Sequence, residues 1–184
     1  MIFVDWDGVF ADFCKAGYAL FDREYNEETF PEVKDITDAL GVSKREFWNK
    51  VDAAGVSFWA YLEKYNWSDK LILLVQEYCN KNNVEWRILS APSLNSSCAA
   101  GKVESFQHYF GYHFRKYILC PAADKPLLCS SPNDVLIDDR ESTIKSWRER
   151  GGLGILFPQP WNSNRDIKNR VEYVKQELES VYVK

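Results

Sequence analysis

Residues 1–13 read MIFVDWDGVFADF. A short apolar run, Ile2-Phe3-Val4, ends in two aspartates, Asp5 and Asp7, one residue apart, and Gly8 follows at once. Short continuous apolar runs suit strands buried on both faces of a parallel sheet. Two like charges at the end of such a strand repel each other and need something positive beside them.

Four more runs repeat the pattern further along the chain. Trp86-Arg87-Ile88-Leu89 ends at Ser90, Tyr117-Ile118-Leu119-Cys120 at Pro121, Val135-Leu136-Ile137 at Asp138-Asp139, and Leu153-Gly154-Ile155-Leu156-Phe157 at Pro158. Between them, apolar spacing predicts helices over 68–82, 103–110, 141–150 and 167–181. Ser68 reads as the cap of the first, and Gly151-Gly152 stop the third. Ser93 to Ser97 reads as a loop. Strands alternating with helices predict an α/β fold, a Rossmann-like parallel sheet flanked by helices on both faces. Ligands of such sheets gather at the carboxyl ends of the strands. Asp5, Asp7, Ser90, Asp138 and Asp139 are therefore expected to converge on one edge.

The segment 18–67 breaks the alternation and carries many aromatics, among them Phe30, Trp48, Phe58, Trp59 and Trp67. It reads as a small helical insertion after the first strand, a lid over the carboxylate edge. Residues 1–17 and 68–184 then form the α/β core.

The 184 residues suit one domain with such an insertion, and 46% hydrophobic content allows a real core. A net charge of −4 argues against a general nucleic-acid binder, so no stable nucleic-acid partner is expected. No apolar stretch approaches the ~20 residues of a membrane span, and Asp5 and Asp7 interrupt any signal-peptide pattern. Five cysteines, none in C-x-x-C, fit reduced thiols and a cytoplasmic protein. His108 and His113 lack partners at zinc spacing. A homodimer is left open.

The carboxylate cluster points to a hard, oxygen-seeking cation, and Mg²⁺ is the natural candidate. One strand-end carboxylate then suits attack on phosphorus, and a second suits proton transfer to the leaving oxygen and from water. Ser90 suits binding of phosphate oxygens, and a Lys is needed against the charge built on the phosphoryl group. Lys125 and Lys102 are the candidates for it. Two other phosphate motifs fail. Gly101-Lys102 lacks the earlier Gly, where Ser96 stands, and the following Ser or Thr, where Val103 stands. No G-x-G-x-x-G follows the first strand.

The order Asp5-Trp6-Asp7-Gly8-Val9, Ser90, Lys125, Asp138-Asp139 resembles the four motifs of the haloacid-dehalogenase-like superfamily of aspartate-nucleophile phosphohydrolases. More narrowly, DWDGVFADF, ILSAP, the C-x-x-G-K ending at Lys102, Asp124-Lys125, LIDDR and ILFPQPWN resemble the 5′(3′)-deoxyribonucleotidases. That resemblance implies Asp5 as nucleophile, Asp7 as general acid/base, and Lys125 holding nucleophile and phosphate. It implies Mg²⁺ on the Asp5 side chain, the Asp7 carbonyl and Asp139, with Asp138 close by. It implies phosphate contacts from Ser90 and Lys102, and nucleoside contacts from Phe13, Arg140 and the cap aromatic Trp48. The residue after Ser90 departs from the family pattern, with Ala91 in place of a hydroxyl. The expected activity is Mg²⁺-dependent dephosphorylation of a nucleoside monophosphate, most simply a deoxyribonucleotide, through an aspartyl phosphate. A nucleic-acid 3′-phosphate or another small phosphate ester as substrate, and a non-catalytic binding domain on the same scaffold, remain open alternatives.

Overall fold

β1 (Ile2–Val4) lies at the centre of a five-stranded, all-parallel sheet in the computed structural model, which describes residues 1–33 and 35–181. The strand order is β3-β2-β1-β4-β5, with β2 at Trp86–Ser90, β3 at Tyr117–Leu119, β4 at Val135–Asp138 and β5 at Leu153–Leu156. The chain fills one side of β1 first and then the other, so the crevice between β1 and β4 is the topological switch point, where open α/β sheets bind ligands. Val4 pairs with Ile88 on one side and Ile137 on the other. One step further along that register, Asp5 stands level with Asp138.

Alternate strand residues face opposite sides of the sheet, and each side has its own core. Ile2, Val4, Ile88, Val135, Ile137 and Ile155 pack on one side. There they meet α4 (Ser68–Asn82), α5 (Ser96–Phe110) and α7 (Arg170–Val181). Phe3, Leu89, Leu136 and Leu156 pack on the other, against Ile144 and Trp147 of α6 (Glu141–Glu149). Trp147 is fully buried, sits edge-on to Phe3 at 5.4 Å, and donates its indole N–H to the Asp134 carbonyl. That bond satisfies the one polar atom of a large apolar side chain.

Among the described residues, three helices lie between β1 and α4. α1 (Phe13–Ala19) is capped by the Asp12 side chain and runs across residue 17, the expected edge of the insertion. α2 (Ile36–Leu40) is one turn closed by Gly41 in the left-handed region. α3 (Lys44–Ala60) is capped by Ser43 and leaves helical geometry at Gly55, where φ is 65°. α3 packs on α5, and Gly101 allows it. A Cβ there would lie 2.5 Å from the Val56 carbonyl oxygen and 2.6 Å from the Trp59 Cβ.

Several expected boundaries move. α5 starts at Ser96 rather than at 103, because Asn95 caps it by accepting the Ser97 N–H at 3.0 Å. Ser96 and Ser97 are thus helical, and only part of the expected Ser-rich loop remains. α7 starts at Arg170 rather than 167, since Asn164 and Asn162 hold the preceding residues in turns. β3 and β5 each end one residue early, at Leu119 and Leu156, and α6 ends at Glu149 rather than 150. Among the described residues, no helix is long and apolar enough to cross a membrane.

Gly101→Ala should therefore destabilise the protein by roughly 1–3 kcal/mol through overpacking against backbone. Urea denaturation measures it. An unchanged midpoint would mean that α3 is not held this close to α5.

Candidate active site

β1, β2 and β4 each end in a polar side chain at the same edge. Asp5 follows β1 directly, Ser90 closes β2 and Asp138 closes β4, with Asp139 next. All four are buried. Ligand oxygens of Asp5, Asp138 and Asp139 lie within 4.8 Å of one another.

Lys125 holds two of these carboxylates. It sits on a 3-10 turn (Ala122–Leu128) after β3, is 2% exposed, and reaches Asp5 Oδ2 and Asp138 Oδ2 at 2.8 Å each. Backbone amides complete both acids. Trp6 N–H donates to Asp5 Oδ1 at 2.7 Å and Arg140 N–H to Asp138 Oδ1 at 2.9 Å. Each oxygen of Asp5 and Asp138 thus accepts a hydrogen bond.

Asp139 is placed differently. Its Oδ2 accepts the Trp161 indole N–H at 2.6 Å, while its Oδ1 has no hydrogen-bond partner among the described residues. Gly8 lies against it, in the left-handed region at φ 77°, and a Cβ on Gly8 would come within 2.6 Å of Asp139 Oδ2. The close approach and the positive φ both require glycine.

A second lysine, Lys102 on α5, is fully buried. It donates to Ser90 Oγ at 2.8 Å and pairs with Asp7 Oδ2. The other Asp7 oxygen is buried without a hydrogen-bond partner among the described residues. Lys102 also lies 5.1 Å from the Trp59 ring centroid, within cation–π range. Trp59 stacks on Phe13 at 5.5 Å, and Phe58 and Trp48 lie 5.9 and 6.3 Å from that same ring. Trp48 is 37% exposed and Phe13 half-buried, so this group of rings opens to solvent. Arg140 keeps its side chain exposed and sits in the field of Asp139, Asp5 and Asp138.

The electrostatics follow from burial. Desolvation pushes the Asp139 carboxyl up to about 8, and the charges of Asp138 and Asp5 push the same way. Desolvation also lifts Asp138, to about 6, even though Lys125 opposes it. Burial works against the charge of Lys125, but Asp138 and Asp5 outweigh it and raise its pKa. One ammonium therefore serves three buried carboxylates, and a proton or another cation must balance the rest. The donors are all oxygen, and they fit a hard divalent ion.

Every site residue expected from the sequence lies at this edge or against it, in two groups: Asp5, Lys125, Asp138, Asp139 and Arg140, then Asp7, Ser90, Lys102, Phe13 and Trp48. The loop after β5 was given no role from the sequence, although it begins at a strand end. Gln159 donates to the Gly8 carbonyl, Asn162 donates to the carbonyls of Asp139 and Phe157 at 2.8 Å, and Trp161 reaches Asp139. Three donors, Gln159, Trp161 and Asn162, within six residues of the end of β5 are the legible signal.

The family model described as "5' nucleotidase, deoxy (Pyrimidine), cytosolic type C protein" matches residues 1–183. No curated protein matches the chain. Among solved structures, a hydrolase from Streptococcus pneumoniae is 11% identical, with 86% of this chain and 92% of that one covered, at a TM-score of 0.49. A HAD-superfamily hydrolase, subfamily IA, from Geobacter sulfurreducens is 14% identical over 96% and 95%, also at 0.49. A HAD family enzyme from Bacteroides thetaiotaomicron, in complex with magnesium and inorganic phosphate, is 16% identical over 88% and 95%, at 0.42.

Between the ordinary carboxyl range and the raised values of Asp138 and Asp139, the folded protein holds protons that the unfolded chain has released. These two groups make metal-free stability fall as pH rises from about 5 to about 8. Thermal unfolding in chelator should show that decline, and Mg²⁺ should raise the midpoint more at pH 8 than at pH 6. A Mg²⁺ effect equal at both would contradict it.

Proposed function

Since the chain belongs to the 5' nucleotidase, deoxy (Pyrimidine), cytosolic type C family, we propose that it dephosphorylates deoxyribonucleoside monophosphates with Mg²⁺, through a phosphorylated Asp5. At the coarser level, it is a phosphoric monoester hydrolase of the 5'-nucleotidase kind, acting on a small phosphate ester. The family description also supports a cytosolic place of work. The observation that carries the finer reading is Asp5 itself: a buried carboxylate fixed by Lys125 and the Trp6 amide, beside two further acids.

Asp5 and Asp139 would hold the cation through their side chains, and the Asp7 carbonyl would add a third oxygen. Asp138, whose ligand oxygen lies within 4.8 Å of those of Asp5 and Asp139, stands close by and also fixes Lys125. When bound, Mg²⁺ supplies positive charge against the phosphoryl oxygens and the nucleophile.

Lys102 and Ser90 bind the phosphate. In the substrate-free geometry Lys102 is paired with Asp7. An arriving phosphate dianion competes for that ammonium and releases Asp7 to carry a proton. An Asp5 oxygen then forms a bond to phosphorus as the ester P–O bond breaks, and Asp7 delivers its proton to the leaving alkoxide. In the second half, water attacks phosphorus, Asp7 takes its proton, and Asp5 leaves with its carboxylate restored. Free phosphate is the product. Lys125 keeps Asp5 aimed throughout.

The insertion, residues 18–67, serves as the lid of the site. Phe13, Trp48 and Phe58, packed around the buried Trp59 that lies over Lys102, offer apolar surface that suits a base attached to the phosphate being cleaved. Arg140, exposed at the same edge, serves the nucleoside.

Phosphate release from a panel of nucleoside and sugar monophosphates, with and without Mg²⁺, tests the reading. Deoxyribonucleoside monophosphates should lead the panel, and chelation should abolish turnover. Asp5→Asn should lower the rate by at least about 10⁴-fold, as loss of a nucleophile does, with an unchanged fold by circular dichroism. Near-normal turnover by that variant, or metal-independent turnover by the wild type, would overturn the mechanism.

A further inference from the structure

Trp161 makes the one hydrogen bond to the Asp139 side chain among the described residues, indole N–H to Oδ2 at 2.6 Å. The indole is a donor only, so the contact fixes which oxygen is engaged. The ring cannot swing away freely. It lies edge-on to Phe30 at 5.7 Å, and its neighbour Asn162 ties the loop to the carbonyls of Asp139 and Phe157. Gln159 ties the same loop to the Gly8 carbonyl. Gly8 closes the space beside Oδ2 from the other side. Oδ1 is left without a partner among the described residues.

We propose that Trp161 is a positioning residue that biases Asp139 toward binding the cation through Oδ1 alone and so makes the site prefer Mg²⁺ to Ca²⁺. The inference rests on the reading of Asp5 and Asp139 as cation ligands. Its physical basis is the difference between the ions. Mg²⁺ demands near-octahedral geometry and takes carboxylates through one oxygen, whereas Ca²⁺ accepts more ligands and readily binds a carboxylate through both. A carboxylate with one oxygen held by an indole favours the first arrangement over the second. Partners behind a metal ligand commonly change metal affinity by 10–100-fold when removed.

The test is isothermal titration of Mg²⁺ and Ca²⁺ into the purified full chain, wild type and Trp161→Phe. The variant keeps an aromatic ring against Phe30 and loses the donor together with the pyrrole half of the indole. Its Mg²⁺ dissociation constant should rise about tenfold, while that for Ca²⁺ stays level or falls, so the Mg²⁺ preference collapses. If both ions weaken alike and their ratio stays within about twofold of the wild type, the indole merely supports the loop and the inference is overturned. If the wild type binds neither ion, the cation reading itself fails. Should the variant not fold, the wild type still decides. Its assigned Trp161 indole N–H should stay hydrogen-bonded and protected from exchange when Mg²⁺ is added. Release of that N–H on Mg²⁺ binding overturns the inference.

Discussion

The site depends on one buried ammonium. Lys125 lies between Asp5 and Asp138, 2.8 Å from each, and all three groups are out of solvent. Breaking such a pair leaves an uncompensated charge in a poorly polarisable interior, at a cost of about 3–5 kcal/mol. The register of β1 and β4 makes the arrangement possible, because it sets Asp5 and Asp138 level across the switch point. The 3-10 turn after β3 then has to bring Lys125 across to them, and Pro126 beside it stiffens that turn. Charge is still unbalanced. Asp139 adds a third carboxyl, answered among the described residues by an indole N–H and by the exposed Arg140. The fold has concentrated negative charge at a place where only a cation or a proton relieves it.

A second lysine links the site to α3. Lys102 joins Ser90 and Asp7, and its neighbour Gly101 is the point where α3 comes down on α5. Trp59 of α3 faces Lys102 and stacks on Phe13. The aromatic group and the phosphate-binding lysine therefore share one packed contact. On the opposite side Phe30 meets Trp161, whose indole reaches Asp139, and Arg165 donates to the Phe30 carbonyl. The segment between β1 and α4 thus touches the carboxylate edge through Phe30 and through Trp59.

Much of the core was legible in the sequence, and the reason is physical. Ile2-Phe3-Val4 and Val135-Leu136-Ile137 are apolar on both faces, and only a strand covered on both sides tolerates that in so short a run. Their polar ends marked the ligand edge. The start of α5 was not legible, because Ser96 and Ser97 read as loop residues until Asn95 is seen to cap them. The left-handed break at Gly55 and the tight approach at Gly101 depend on tertiary packing, which a single helix pattern does not carry. Trp161 and Asn162 lie far from Asp139 along the chain. Their contact needs the β4–β5 pairing and a specific turn at Gln159 to Asn162, neither of which periodicity describes.

The central claim is that Asp5 carries the phosphoryl group. Acid quench during steady turnover, followed by borohydride reduction, converts an aspartyl phosphate to homoserine, and peptide mass spectrometry locates it. The account predicts homoserine at position 5 and nowhere else, dependent on both substrate and Mg²⁺. Turnover with unmodified Asp5, or homoserine at position 7, 138 or 139, would contradict it.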